Sequence, residues 1–125
     1  MADVNYSLSL SVNKGPLVQQ LAASGVTASM NATGMVSTTL SPGTNAAGTA
    51  AISTAALSSV GLFFARNLST VATAAVSFGQ LSAGALVPTV SLLGGEAATG
   101  RLAAGSYAAQ SNLTGTKLVI TILEG

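Results

Sequence analysis

The chain reads as all-β, an antiparallel β-sandwich or jelly-roll-like domain of about eight or nine short strands. Two observations lead there. Apolar and polar residues alternate along several short runs, the period of a strand with one face buried. Clusters of Gly, Pro, Asn and Ser interrupt those runs at short intervals, as turns do. A third observation sets the organisation. No Pro/Ser-rich linker divides the 125 residues and no internal repeat occurs. Residues 1–125 therefore read as a single sandwich domain of ordinary size, with 1–16 a strand or arm available for assembly contacts.

Val4, Tyr6, Leu8, Leu10 and Val12 share one face of the opening run, and Asn5, Ser7, Ser9 and Ser11 the other. That predicts a half-buried strand, ended by the turn residues "NKGP" (13–16). "LVQQLAASG" (17–25) fits a strand or a short helical turn, and the Gly25–Val26 step that follows favours the strand. "VTASMNAT" (26–33) alternates again, Gly34 breaks it, and "MVSTTL" (35–40) reads as the returning strand. "SPGTNAAG" (41–48) is the strongest loop signal, while "TAAISTAAL" (49–57) is ambiguous, since Ala favours helix and Ile and Thr favour strand.

"VGLFFARNL" (60–68) predicts a strand with Leu62, Phe64, Arg66 and Leu68 on one face and Gly61, Phe63, Ala65 and Asn67 on the other. "ATAAVSFGQ" (72–80) is expected to pair with it across "STV", and "LSAGAL" (81–86) is turn-like. "VPTVSLL" (87–93) is a strand whose Pro88, near its start, suits a sheet edge or a strand's first residues. "SYAAQ" (106–110) is a short strand and "SNLTGT" (111–116) a loop. "KLVITILEG" (117–125) is a final strand, apolar on both faces, which places it centrally in a sheet or at a subunit interface.

Composition excludes more than it selects. Charged residues are 6% of the chain, against roughly 25% in an average soluble domain. Hydrophobic residues are 49% but aromatics only 4%, so the apolar mass is mostly Ala, Val and Leu. Small side chains bury little area each, at roughly 25 cal/mol per Å², and such a thin core draws stability from subunit contacts. A net charge of +1 gives copies little mutual repulsion. There is no Cys, hence no disulfide or thiolate metal site, and no His, hence neither the commonest general base nor the commonest metal ligand. The cations Lys14, Arg66, Arg101 and Lys117 are scattered along the chain, whereas nucleic-acid binding calls for a basic cluster.

The N-terminal "MADVNYSLSL" lacks the basic-then-apolar order of a secretory signal. Mean hydropathy is +0.62, and residues 46–65 are long enough to span a bilayer, but Ser, Thr and Gly dilute them. A chain made in the cytoplasm, with no membrane span, is expected. Asn-X-Ser/Thr triplets at Asn5, Asn31, Asn67 and Asn112 read as chance in a chain so rich in these residues.

Catalysis would need a nucleophile with its base, paired carboxylates or a metal. The acids are Asp3, Glu96 and Glu124, and the first and last lie near opposite termini, where chains usually fray. No phosphate-binding glycine loop occurs, since "TGTK" (114–117) precedes a strand. No catalytic residue, metal, cofactor or small-molecule substrate is expected.

The candidate residues are instead interfacial. Phe63 and Phe64 point to opposite faces of one strand, so one of them lacks a place in a single core and should pack under a loop or against another subunit. Arg66 either covers a sheet edge with its aliphatic stem or contacts a partner. Glu96 and Arg101 face opposite ways on a straight strand and could meet if Thr99–Gly100 bends the chain or if Glu96 ends a loop. They read as a sheet rim, with an inter-subunit contact as the alternative. Tyr6 and Tyr107 read as half-buried core residues with wet hydroxyls.

In the C-terminal half, "FFARNLST" (63–70), "VSFGQ" (76–80), "VSLLGGEAATGRLAAGSYAAQ" (90–110) and "KLVITILEG" (117–125) follow one another in a telling order. That order resembles small virion proteins of tailed bacteriophages. In those, a strand ending Arg-Asn-Leu leads to a Val-X-X-Gly strand and a Leu-X-X-Gly-Glu turn. An Arg-Leu strand, a Gly-X-Tyr-Ala strand and a last Leu-X-X-X-Ile-Leu-Glu strand follow. The resemblance covers residues 60–125. It implies an all-β domain on the capsid surface, a decoration (cement) protein that binds the major capsid protein and stabilises the assembled head. It also implies a homo-oligomer, such as a trimer at a symmetry axis, and no catalytic residues. A tail or fibre-base component is the runner-up. A carbohydrate-binding module or a self-assembling filament subunit are alternatives of another class. The chain departs from the pattern in placing Ala and Gly where bulkier residues are expected, which bears on packing and strand boundaries.

Overall fold

The computed structural model describes residues 3–30, 32–44 and 49–125; Asn31 and residues 45–48 of the expected 41–48 loop lie outside the described residues. Ten antiparallel strands and no helix are present among them, arranged as a two-stranded hairpin and two four-stranded sheets. The chain divides into two compact units, Met1–Asn31 and Ala32–Gly125.

The first unit is a hairpin of β1 (Val4–Lys14) and β2 (Leu17–Ala28). Gly15, with φ of 55°, and Pro16 form its two-residue turn. The 17–25 and 26–33 segments do not become two strands. Gly25 takes φ of 65° and forms a bulge opposite Ser7, whose hydroxyl accepts from the Gly25 amide at 3.3 Å, and β2 runs through it. A glycine in the left-handed region absorbs the extra residue without ending the ladder. At the open end, the Asp3 carboxylate accepts from the Met30 amide at 3.0 Å. The half-buried strand expected here is met only in part: Val4, Tyr6 and Val12 are partly covered, while Leu8 and Leu10 are exposed.

The second unit pairs two sheets around one core. Its strands are β3 (Met35–Leu40), β4 (Ala50–Ile52), β5 (Val60–Asn67), β6 (Val76–Ser82), β7 (Ala85–Leu92), β8 (Ala97–Arg101), β9 (Tyr107–Ser111) and β10 (Leu118–Glu124). One sheet has the order β3-β10-β5-β8 and the other β4-β9-β6-β7. Every connection except β6–β7 passes from one sheet to the other. The inner faces meet over Phe63, Ala65, Ile120 and Ile122 from the first sheet and Val76, Phe78, Tyr107 and Ala109 from the second. Phe63 and Phe78 stack edge to face, with centroids 5.3 Å apart and planes at 81°, the arrangement aromatic rings favour.

The 72–80 segment does not pair with 60–68. Both edges of β5 are already taken, by β10 and by β8, so β6 joins the opposite sheet beside β9 and β7. The crossing is held by Asn67, which is fully buried. Its Nδ2 donates to the carbonyls of Ala74 and Leu92, each at 2.9 Å, and its Oδ1 accepts from the Ser69 amide at 2.9 Å. The turn expected over 81–86 narrows to Ala83–Gly84, both at positive φ (52° and 80°), the backbone a two-residue hairpin requires. Pro88 lies in β7, an edge strand, and the 117–125 strand lies between β3 and β5, as its two apolar faces predict. Only Ala50–Ile52 of the ambiguous 49–57 segment is a strand.

Candidate functional site

Residues opposite one another in a ladder point to the same face of the sheet. Phe64 lies opposite Thr121 on one side and Thr99 on the other, and Thr121 lies opposite Ser37. One row across the outer face of the first sheet is therefore Ser37, Thr121, Phe64 and Thr99. The next row is Thr39, Val119, Arg66 and Ala97. On the far side of Phe64, Arg101 stands opposite Leu62. Two guanidinium groups thus flank an aromatic ring that is 49% exposed, one two residues along its own strand and one diagonally across the neighbouring strand.

Lys117 joins them. It precedes β10, alternates with buried Leu118, and its carbonyl accepts from the Leu68 amide at 2.9 Å. That parity puts Lys117 and the half-exposed Leu68 on the same outer face. Three of the four cations of the chain then share one sheet face with Phe64 and the exposed Met35.

The structure separates the other sequence candidates. Of the two phenylalanines, Phe63 fills the core and Phe64 is the one left outside. Arg66 does not cover a sheet edge, because β5 is an interior strand. Thr99 and Gly100 lie within the ladder of β8, so the chain does not turn back between Glu96 and Arg101. Gly100 sits opposite Phe63, and a β-carbon there would come within 3.5 Å of the ring. Glu96 closes the turn before β8: its carboxylate accepts from the Leu93 amide at 2.7 Å and its own amide donates to the Leu93 carbonyl at 2.9 Å. Glu96 is thus a turn residue at the margin of the cationic face.

Two residues were missed by sequence reasoning. Lys117 was read only as part of a scattered set, although its odd position beside the even, buried Leu118, Ile120 and Ile122 marks it as outward. Glu124 was assigned to a frayed end. It is instead buried on the inner face and accepts from the Ser58 hydroxyl, the Ser58 amide at 2.8 Å and the Gly34 amide at 3.0 Å. The alternation of Leu118, Ile120, Ile122 and Glu124 carried that signal. The hydrogen bonds from the Ser58 hydroxyl and amide, with that from Gly34, hold the Glu124 carboxyl below the usual carboxylate range and outweigh its desolvation.

A lowered native pKa means the contribution to stability is full above the unfolded carboxylate range and is lost as pH falls through the native value. Glu124→Gln should therefore melt at a lower temperature than the parent at pH 7, with the gap closing toward pH 3. Thermal melts across that range test it, and a gap independent of pH would refute the assignment.

The remaining surface offers less chemistry. A shallow groove of about 390 Å³ crosses the outer face of the second sheet past Ser77, Leu86, Pro88 and Gln110. The Asn112 side chain at its end is already engaged, accepting from the Ala75 amide and donating to the Thr73 carbonyl. Among the described residues, no group of three or more His, Cys, Asp or Glu side chains is placed to hold a metal.

Among the described residues these features define an all-β protein of ten antiparallel strands whose sheet β3-β10-β5-β8 presents an aromatic-bearing, cationic outer face. Comparison with protein-family models, with curated proteins and with solved structures found no match.

Proposed function

We propose that this chain is a structural protein of a tailed-phage virion, a capsid decoration (cement) protein rather than an enzyme. It binds the major capsid protein of the assembled head through the outer face of β3-β10-β5-β8. The observation that carries this reading is the gathering of Phe64, Arg66, Arg101 and Lys117 on that one face. An exposed aromatic flanked by two arginines, with a lysine further along the same face, suits an acidic surface with an apolar centre, since aromatic and arginine side chains dominate binding energy at interfaces. The order of segments over residues 60–125, which resembles small virion proteins, supports the same reading. A clamp that binds only the assembled shell stabilises it by mass action, and many copies on one particle multiply the effect.

The test is co-sedimentation of the purified protein with expanded heads. Phe64→Ser should weaken binding by ~2 kcal/mol, about 30-fold. Arg66→Glu with Arg101→Glu should abolish binding at low salt, where attraction to an acidic partner is strongest. Neither change touches the core, so melting temperatures should stay within a few degrees. Unchanged binding by both variants would reject the face, and cryo-electron microscopy placing the protein on the tail would reject the capsid reading.

A further inference from the structure

Edge strands invite pairing with other chains, and proteins blunt them with short length, charge, proline or bulges. Among the described residues the sandwich has four such strands, β3 and β8 in one sheet and β4 and β7 in the other. Three are blunted. Strand β4 has three residues. Strand β7 carries Pro88 and runs beside the bulge at Gly79. Strand β8 has five residues and ends in Arg101. The fourth, β3, has none of these devices. Its sequence Met35-Val36-Ser37-Thr38-Thr39-Leu40 is uncharged, free of Pro and Gly, unbulged against β10 and rich in β-branched residues. Val36 and Thr38 point inward yet are only half-buried, because the sheet stops beside them.

The ladder fixes which main-chain groups this edge offers. The Glu124 amide donates to the carbonyl of Gly34, one step beyond the Leu123–Met35 pair, so the even residues of β3 bond to β10. The N–H and C=O groups of Met35, Ser37 and Thr39 therefore point away from the sheet, and no hydrogen bond among the described residues engages them. We infer that two copies of the chain join here, β3 to β3 and antiparallel, about a two-fold axis perpendicular to the sheet at Ser37. Those outward groups bond only if odd residues face odd residues, and centring on Ser37 engages all of them. Met35 then faces Thr39 of the second copy, and Ser37 faces its own counterpart. Between these rows Val36 faces Thr38 on the inner side, each closing the half-open flank of the other. The strand is thus complementary to itself: its cross-strand pairs are Met–Thr, Val–Thr and Ser–Ser, with no charge brought against charge. A neutral edge has nothing to recognise a charged segment, and a net charge of +1 lets copies approach. An isologous contact uses the same patch on both copies, and the perpendicular axis keeps both cores on one side. Phe64, Arg66 and Arg101 of both copies then face one way across a single continuous sheet. The contact is one strand long, ~20 Å, at the small end of specific interfaces. Its affinity comes from main-chain bonds, as in strand addition generally, so the dimer is reversible and is favoured where copies crowd together.

The test uses the full chain at rising concentration. Sedimentation velocity should pass from monomer to dimer. Amide exchange followed by NMR should slow with concentration at Met35, Ser37 and Thr39. It should stay fast at Ala97, Thr99 and Arg101, the corresponding open positions of β8. Ser37→Pro removes only an outward N–H, which an edge strand tolerates, and should abolish pairing. Ser37→Lys leaves the backbone intact, sets two cations against each other across the axis and should raise the dissociation constant about fivefold at low salt, less at high salt. The absence of cysteine from the parent allows a check of register. Ser37→Cys should oxidise to a disulfide-linked dimer, whereas Thr39→Cys should link to Met35→Cys and not to itself. A chain monomeric up to about 1 mM, the weak end of specific binding, would overturn the pairing. So would a dimer indifferent to the Ser37 changes, or self-linking of Thr39→Cys. Slow exchange at Ser37 in the dilute chain would overturn it too, since another segment of the same chain would then hold the edge. Head binding is read separately. A monomer that binds heads removes only this contact, and a dimer that ignores heads removes only the shell reading.

Discussion

Asn67→Ala is expected to lower the stability of the sandwich by ~3–5 kcal/mol, since it strips partners from two buried carbonyls at ~1–3 kcal/mol each and removes a third bond. Those carbonyls belong to Ala74, which leads into β6, and Leu92, which ends β7; the third bond fixes the Ser69 amide as the chain leaves β5. The Asn67 backbone is committed as well, donating to Glu96 at 3.0 Å and accepting from Gly95 at 2.9 Å. One side chain thus ties together two connections between the sheets, β5–β6 and β7–β8, and alanine leaves a dry space with two acceptors and no donor. For a unit of this size such a loss lowers the melting midpoint by ~15 °C or more. Asn67→Asp is the sharper control. It keeps the acceptor toward Ser69 but turns an oxygen toward both carbonyls, so it should be no more stable than the alanine variant at neutral pH. Thermal or urea unfolding measures both, and a loss below ~1 kcal/mol would mean that the carbonyls find other donors.

Phe78→Ala should cost a similar ~3–5 kcal/mol. The chain has five aromatic residues, and Phe78 is 1% exposed with its ring against Phe63. Its neighbours in the core include Ala65 and Ala109, too short to reach into the gap. The backbone cannot close it either. The next residue, Gly79, sits at a bulge so near the Val87 carbonyl that a β-carbon would collide with it. Strand β6 therefore has no room to slide toward β7. Phe78→Leu keeps most of the volume and should lose only ~1–2 kcal/mol. Denaturant unfolding separates the two, and equal losses would show that the core relaxes.

Much of this was legible in the residues. Alternation predicts the strands at 4–12, 35–40, 60–68 and 117–125, and Pro88 fits an edge or a strand's first residues. The apolar faces of 117–125 predict a central strand. What alternation cannot carry is which strand neighbours which. Leu62-Phe63-Phe64-Ala65 says that one face is buried, yet it is the same pattern whether β6 lies beside β5 or across the core from it. The crossing depends on the three bonds of Asn67, whose type reads as a turn or sequon residue until its surroundings are known. Gly25 misled for a related reason, because a glycine that ends a strand and one that forms a bulge look alike in sequence. The cationic face was hidden by distance along the chain: Arg66, Arg101 and Lys117 come onto one face only once β5, β8 and β10 are laid side by side.

The place of β10 has a kinetic consequence. It lies between β3 and β5, and Ser37 and Thr121, which share a hydrogen bond across β3 and β10, are 84 residues apart in sequence. Strand β3 has no other neighbour in its sheet, so no local event can nucleate it. The entropy of closing a long loop has to be spent before that pairing returns anything. Among the described residues of the sandwich, only β6–β7 offers a local hairpin, which makes it the natural first structure to form. The rest of the sandwich assembles from contacts remote in sequence, on the slow millisecond-to-second scale of all-β topologies.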